Sequence, residues 1–450
     1  MEPSDARLAQ ALRLLRDRGF EPAGHHHGVR HFEGSLPCRG GAVRVRLSVS
    51  DWDFMSYPSI TVLDGIQDLP ALLPHVSAGG LCYFANGSVV LDRYDPAQSI
   101  AQCLDQAQVV LDRIRSDANY RLGDVQDEFM AHWLAGQSSS VWPVLVGTVD
   151  PNSQASSKYC FVDVDGTRIA VIADDLNEVA ALATALGSKP PEKTSCPCWL
   201  FRTDVLPAVP EVMPSTVKAL FAWLKQWDAK LYNRVQRVLE REPSYLKFHF
   251  ATFAVRTPIG WLGFGFDLDP FTRLASERRP VHYRQHLHGK GGSRGILRLS
   301  ITEFGPDFVH NRNLHFKDLR DKRITLVGCG AIGSYVAQAL VRLGAGTGRG
   351  RLTLIDPDTV NPENLGRHVL GYPALFKPKA QALRDELSRH FPFSSIEAKP
   401  ANVQDVPDLF SAGLVIDATG EESVSVRISA NVTGDFGNVT DLGLGAGLRG

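Results

Sequence analysis

The stretch Ile324-Thr325-Leu326-Val327-Gly328-Cys329-Gly330-Ala331-Ile332-Gly333 decides the fold of the C-terminal third of this 450-residue chain. Ile324 to Val327 reads as a short buried strand. It runs into three glycines spaced G-x-G-x-x-G, and Ile332, Val336, Leu340 and Leu343 then recur at helical spacing, predicting a helix with those four side chains inward. Glycines at Gly328, Gly330 and Gly333 let a backbone approach phosphate oxygens, and the start of a helix offers free amides and a positive dipole end. A second strand, Leu352 to Ile355, ends at Asp356, where a carboxylate can accept ribose hydroxyls. A second helix begins near Pro378 with Leu383 and Leu387 inward, and Leu414 to Ile416 is a further strand. This order is a βαβαβ unit with a parallel sheet. NAD fits it as well as ATP.

The next segment separates the two nucleotides. It reads Asp356-Pro357-Asp358-Thr359-Val360-Asn361-Pro362-Glu363-Asn364-Leu365-Gly366-Arg367-His368 and leads on to Phe376-Lys377-Pro378-Lys379. Asn364, Arg367 and Lys379 suit a triphosphate, whose charge exceeds what one helix terminus offsets. A dinucleotide site needs no such set, which disfavours a nicotinamide oxidoreductase. The pattern Asp-x-Asp-x-Val-x-x-x-Asn-Leu-x-Arg, after strand–GxGxxG–helix and before Lys-Pro-Lys-Ala, resembles the adenylation domain of the ThiF/MoeB and ubiquitin-activating family. The resemblance implies that Asp356 holds the ribose while Asn364, Arg367 and Lys379 contact the phosphates. It also places Arg312 like an arginine that reaches ATP, often from a dimer partner, and implies a homodimer through this domain. The implied chemistry is attack of a C-terminal glycine carboxylate on the α-phosphate of Mg-ATP to form an acyl adenylate. Arg367 and Lys379 would stabilise the charge that develops on the phosphates.

Two departures from that family stand out. Its magnesium-linked aspartate follows the fourth strand in a pattern like Asp-x-Thr-Asp, whereas here the segment reads Asp417-Ala418-Thr419-Gly420-Glu421. Asp417, or else Glu421, is expected to serve the metal. No cysteine follows Cys329, although the family's thioester-forming cysteine lies further downstream, and residues 431–450 are glycine-rich without a strand pattern. A truncated or frameshifted C-terminus, and so an incomplete adenylation domain, is the expectation.

Residues 1–118 read as a smaller α+β domain. Leu8, Leu12 and Leu15 mark a helix stopped by Gly19, and Val43, Val45, Leu47 and Val49 alternate with polar residues as a half-buried strand. Ser59 to Leu63 is a second strand and Ser88 to Leu91 a third. Asp95-Pro96 opens a helix whose apolar face is Ile100, Leu104, Ala107, Leu111 and Ile114. Cys82 sits in Gly79-Gly80-Leu81-Cys82-Tyr83. A buried small hydrophobe is the ordinary reading of such a cysteine. Its setting, with Tyr57-Pro58 before it and Tyr94-Asp95-Pro96 after, resembles a ubiquitin-conjugating fold, where the cysteine accepts a thioester. That family's His-Pro-Asn motif is absent, and His75 is the nearest candidate for support.

Residues 119–315 form an α+β connector. Phe161 to Ile169 is a hairpin turning at Asp165-Gly166. A long helix is expected from Ser215 to Glu240, strands flank Thr257 to Gly260, and Ser188–Pro197 and Gly289–Gly295 are expected as loops, the latter flexible and basic. Cys196 with Cys198, and His282, His286 and His288, lack a second ligand pair at zinc-finger spacing. His25 to His27 with His31 are expected in a solvated loop, and Cys38, Cys103 and Cys160 in cores.

Composition is that of an ordinary globular protein, 44% hydrophobic and 22% charged. A net charge of −1 gives no global field for nucleic acid or an anionic membrane. No run of apolar residues is long enough to span a bilayer, the N-terminus lacks a secretory pattern, and seven dispersed cysteines fit a reducing cytosol, so a cytoplasmic site is expected. A conjugating-like domain joined to an activating-like domain resembles the bacterial fusions of anti-phage cyclic-oligonucleotide signalling. The resemblance implies ligation of a ubiquitin-like protein, or of a nucleotidyltransferase with a C-terminal glycine, to a target protein. A sulfur-carrier-activating enzyme and a nucleotide-binding scaffold without catalysis are the alternatives.

Overall fold

The structure is a computed structural model that describes residues 5–137, 142–151, 156–190, 195–311, 319–407, 409 and 412–431. It divides into two compact units, one of Met1–Val141 with Trp199–Ser300, the other of Trp142–Cys198 with Ile301–Gly450.

The first unit opens with the helix Asp5–Asp17, which ends before Gly19 at φ +77°. An antiparallel sheet follows, built from Glu21–His26, Val29–Leu36, Val43–Val49, Ser59–Asp64, Gly80–Leu81 and Val76–Ser77 in that spatial order. Period-2 alternation works as the sequence predicts. Val43, Val45 and Leu47 are fully buried, while Arg44 and Arg46 face out and share Glu33 on the neighbouring strand. The helix Pro96–Ser116 closes the buried face with Ile100, Leu104, Ala107, Leu111 and Ile114, and the Asp95 side chain accepts the Gln98 amide as its cap.

Two expectations in this region are corrected. Ser88 to Leu91 is not a strand: the Tyr57 hydroxyl accepts the Val89 amide and donates to the Val89 carbonyl, so a side chain holds the segment in place of a ladder. His25 and His26 lie on an exposed edge strand, not in a loop. The chain turns at His27 and Gly28, both at positive φ.

The rest of the first unit packs around aromatic side chains. The short helix Phe129–Leu134 buries Phe129 and Trp133 completely, in a core shared with Trp223, Tyr245, Phe253 and Phe264. The Trp133 indole N–H reaches the Gly263 and Leu299 carbonyls, both at 3.2 Å. Arg298 lies over that ring and donates to the Ala135 and Pro214 carbonyls, which compensates a guanidinium buried among apolar groups.

The single helix expected from Ser215 to Glu240 is two, Val217–Trp227 and Ala229–Arg241. Asp228 makes the break. It adopts extended backbone, and its carboxylate caps the amides of Lys230 and Leu231 while accepting the Thr203 hydroxyl. The Gly289–Gly295 segment is likewise not a floppy loop. Gly291 and Gly292 are buried, and a Cβ on Gly291 would stand 2.5 Å from the His286 ring.

In the second unit, Ser157–Val164 and Thr167–Ala173 form the expected hairpin, with Asp165 and Gly166 at φ +47° and +78°. Val144–Val146 runs parallel to Ala170–Ile172 and to Ile301–Glu303. The C-terminal part is a fully parallel sheet in spatial order Ile396–Lys399, Arg351–Ile355, Arg323–Val327, Leu414–Asp417. The helices Ala331–Arg342 and Lys379–His390 are the crossovers. Leu340, Leu383 and Leu387 are buried as expected, but Ile332 is 64% exposed; Ala337 and Val341 take the inward positions.

Leu104 is fully buried between the N-terminal helix layer and the sheet. Leu104→Ala is expected to cost about 2–5 kcal/mol through lost transfer energy and a residual cavity. Urea denaturation of the variant against wild type measures it.

Candidate functional site

Counted by position in the chain, the parallel sheet has strand order 3-2-1-4. Its direction of winding therefore reverses between Arg323–Val327 and Leu414–Asp417, and such open sheets bind ligands outside the carboxyl ends of the strands at that switch point. Gly328 and Asp417 flank it, Asp417 being the register partner of Val327.

The three glycines of the motif do three different things. Gly328 sits at φ +89° against the backbone of Ala418 and Thr419, where a Cβ would approach to 2.8 Å. Gly333 opens toward the Gly328 carbonyl, and a Cβ there would lie 1.9 Å from that oxygen. Nothing lies within 4 Å of where a Gly330 Cβ would be, at the cap of the helix Ala331–Arg342. Two glycines thus close the turn, and the third leaves room in front of the helix terminus.

Asp356 is buried and braces the loop. Its Oδ2 accepts the Cys329 amide at 2.7 Å and its Oδ1 the Asp358 amide at 2.8 Å. Lys379 is buried along its stem, and its ammonium donates to Asp358 Oδ2 at 2.8 Å. Asn364 turns its Oδ1 to the Asn361 amide, which keeps the amide NH2 as a donor. Arg367 follows on the same turn and is exposed. His368 is buried, and its ring meets the Cys329 carbonyl at 2.7 Å.

The contacts therefore bring Gly328, Gly333, Asp356, Lys379 and Asp417 to one end of the sheet. Arg312 lies outside the described residues. Sequence reasoning gave no role to Asp358 or His368. Their only signal was position within the quoted run, since a buried lysine and an engaged carbonyl are properties of the folded backbone.

Asp417 departs from the usual pattern by being held locally. Its Oδ1 accepts both the amide and the hydroxyl of Thr419, and its Oδ2 accepts the Ser425 hydroxyl. One lone pair of Oδ2 remains. That donor chemistry fits magnesium, which takes one or two carboxylates and fills its shell with water and phosphate. Glu421 is exposed, and its amide donates to the Thr419 hydroxyl. Among the described residues no three His, Cys, Asp or Glu side chains group as metal ligands.

Cys82 belongs to the first unit. A two-residue hairpin, Val76–Ser77 with Gly80–Leu81, turns at Ala78 and Gly79 and presents the cysteine next to Leu81. Its amide donates to the His75 carbonyl at 2.8 Å, and its Sγ lies 3.6 Å from the Phe84 carbonyl. Of the seven cysteines Cys82 is the exposed one. Burial raises the thiol pKa of each of the others, to about 11 for Cys103 and Cys160 and further for Cys198 and Cys329. Cys38 is half-buried, not in the core proper. The His75 imidazole points to Asp124 at 2.9 Å, with Glu128 3.6 Å from its other nitrogen. Among the described residues no helix is long and apolar enough to cross a membrane.

A switch-point glycine loop braced by a buried aspartate, joined in one chain to a domain with an exposed hairpin cysteine, fits a protein combining an adenylation domain with a conjugating domain. The model of the ThiF family matches residues 299–430, and that of prokaryotic E2 family B matches residues 8–141. The chain is 31% identical over 432 residues to the ATP-dependent ubiquitin transferase-like protein Cap2 of Pseudomonas aeruginosa, covering 94% of this chain and 76% of that one. The Escherichia coli protein of the same name is 24% identical over 422 residues, covering 87% and 70%. The molybdopterin-synthase adenylyltransferase of Salmonella typhimurium is 37% identical over 135 residues, covering 29% and 51%. The chain belongs to the Cap2 family of ATP-dependent ubiquitin transferase-like proteins and is a transferase of that class.

Two measurements test this geometry. Gly333→Ala forces the turn open and is expected to weaken nucleotide binding at least tenfold, read by isothermal titration with ATP. Brief alkylation of the native protein is expected to modify Cys82 ahead of the six others, read by peptide mass spectrometry. Faster labelling of Cys38 or Cys196 would contradict the exposed-hairpin assignment.

Proposed function

We propose that this protein adenylates the C-terminal glycine of a ubiquitin-like protein, or of a nucleotidyltransferase ending in glycine, and carries the acyl group on Cys82 to an amine of a target. The observation that carries this reading is the pairing of a braced glycine loop at the switch point with an exposed cysteine in a second, conjugating-like domain. Under it the chain has three functional parts, at 1–118, 119–315 and 316–450.

ATP is the first substrate. Its phosphates would meet the amides at Gly330 and the helix start, with Asn364, Arg367 and Lys379 contributing charge-assisted donors. Asp356 would accept ribose hydroxyls. Asp417 would hold magnesium through Oδ2, and that ion supplies charge neutralisation at the phosphates. A glycine carboxylate oxygen attacks the α-phosphorus, pyrophosphate leaves, and an acyl adenylate remains. A cysteine thiolate then attacks the acyl carbon and AMP leaves. Thioester exchange moves the acyl group to Cys82, and a target amine displaces the Cys82 thiolate to give an amide. Arg312 of a second copy would complete the phosphate site, which makes a homodimer part of the proposal. The setting we propose is antiviral defence in the cytoplasm.

ATP–pyrophosphate exchange with C-terminal-glycine partners tests the adenylation step. Exchange is expected in wild type and to fall at least a hundredfold in Arg367→Ala. A Cys82-linked partner that disappears under thiol reductant, and is absent in Cys82→Ala, is expected in the transfer step. Exchange that proceeds unchanged in Cys82→Ala with no thioester in wild type would favour sulfur-carrier activation. ATP binding without exchange would favour a scaffold.

A further inference from the structure

We propose that His368 is the positioning residue that aims the nucleotide loop, by pinning the Cys329 carbonyl inward so that the Gly330 amide faces the phosphate position. The inference rests on the nucleotide-site reading above and assigns within it a residue that the family pattern leaves unused.

The argument starts from the peptide unit. A trans peptide is planar, and its C=O and N–H point in opposite directions. Fixing the carbonyl of Cys329 therefore fixes the amide of Gly330. Without a partner, a peptide that leads into a glycine has little to stop it from turning over, because the turn runs through Cys329 ψ and Gly330 φ and glycine accepts both signs of φ. A turned peptide would present an oxygen to the phosphates where a donor is needed.

The His368 ring supplies that partner. A carbonyl can only accept, so Nε2 carries the proton and donates to the Cys329 oxygen at 2.7 Å. The other nitrogen, Nδ1, accepts the Leu370 amide at 3.1 Å. Both ring nitrogens are thus committed, and the imidazole is neutral in this arrangement. The amide of Cys329 is held from the other side by Asp356. The residue between the first two glycines is therefore clamped at both of its polar groups, while the space in front of Gly330 stays open. A further tie joins the same segments, from the Val369 amide to the Ser334 hydroxyl at 3.4 Å. Arg367 precedes the histidine directly, so the clamp also fixes the distance between the arginine turn and the loop.

A protonation dependence follows. Burial lowers the His368 pKa, and the nearby Lys379 ammonium adds to that; the Cys329 carbonyl and the Asp356 carboxylate oppose it. Asp358 is paired with Lys379, and the Cys329 thiol stays neutral through burial. A proton on Nδ1 would face the Leu370 N–H, donor against donor. The closed loop therefore disfavours the charged ring. Well above the ordinary imidazole pKa of about 6.5 the ring is neutral whether the loop is open or closed, and the clamp contributes fully. As the pH falls below that value, the open form binds a proton that the closed form does not, and the closed form loses ground.

The test is ATP affinity of the full chain by isothermal titration between pH 5.5 and 8, with folding followed by circular dichroism. Three variants are compared: His368→Gln, whose amide keeps a donor and an acceptor but does not titrate; His368→Phe, which keeps ring volume without a donor; and Arg367→Ala, which removes a phosphate contact. Wild type is expected to bind with constant affinity above about pH 7.5 and progressively more weakly as the pH falls through the imidazole range near 6.5. His368→Gln is expected to stay within threefold of wild type at pH 7.5 and to lose the acid-side weakening. His368→Phe is expected to bind at least tenfold more weakly at pH 7.5 while folded. A folded His368→Phe that binds like wild type, or a His368→Gln that keeps the acid-side loss, overturns the clamp while leaving the nucleotide site intact. Absence of ATP binding in wild type, or an unchanged Arg367→Ala, overturns the site reading itself and the clamp with it.

Discussion

Between the end of the strand Arg323–Val327 and the start of the helix Ala331–Arg342 the backbone folds so closely on itself that a single methyl group at Gly333 would lie 1.9 Å from the Gly328 oxygen. The closeness has a second partner. Gly328 itself touches the Ala418–Thr419 backbone, so strand, helix and the segment after the fourth strand meet at one point. The parallel register of Val327 with both Ile355 and Asp417 places the chain ends of three strands at that point. Everything proposed for the nucleotide depends on that approach, because it sets how near the helix amides can come to an anion and where Asp356 can reach.

Around this turn the protein spends its polar groups in pairs that support one another. Asp356 holds two amides, Lys379 is held by Asp358, and His368 holds a carbonyl. The lysine–aspartate pair has one nearly buried partner and one well-exposed one, so its net contribution to stability is modest. Its effect is on conformation: the ammonium is kept beside the loop by a fixed anion. A triphosphate would compete with that carboxylate for the same charge.

The sequence made the glycine loop, the parallel sheet and the exposed helix-capping residues legible because each follows from local rules. A run of Val, Ile and Leu followed by G-x-G-x-x-G has few other readings, and Asp95-Pro96 can hardly be anything but a helix start. The misreadings share a cause, which is that long-range partners are invisible locally. Ser88 to Leu91 has strand propensity, but Tyr57, some thirty residues earlier, uses up the Val89 backbone. The apolar stripe from Leu220 to Leu239 continues across Asp228, yet Thr203 and two amides make a cap of that aspartate. Ile332 satisfies the helical period but faces out, because the inward face of that helix runs through Gly333, Ala337, Leu340 and Val341. At the site, residue types gave Asp356, Arg367 and Lys379, whereas His368 needed coordinates. Nothing in a His after an Arg announces a bond to a carbonyl on another segment.

The chain passes from one unit to the other at residues 141–142, 198–199 and 300–301, and that path has a consequence for how the protein is made. The N-terminal core, from Ala11 to Ile114, is complete once its own sheet and helix have emerged. Phe129 and Trp133 come next, but their partners run from Trp199 to Leu287. At a synthesis rate of about 5–20 residues per second the aromatic face of that short helix waits up to roughly 10–30 s for its last partners. During that interval the ribosome carries a finished conjugating-like lobe trailing a greasy, unfinished seam, a natural target for a chaperone. Crowded nascent chains could stick to one another there before the second half arrives.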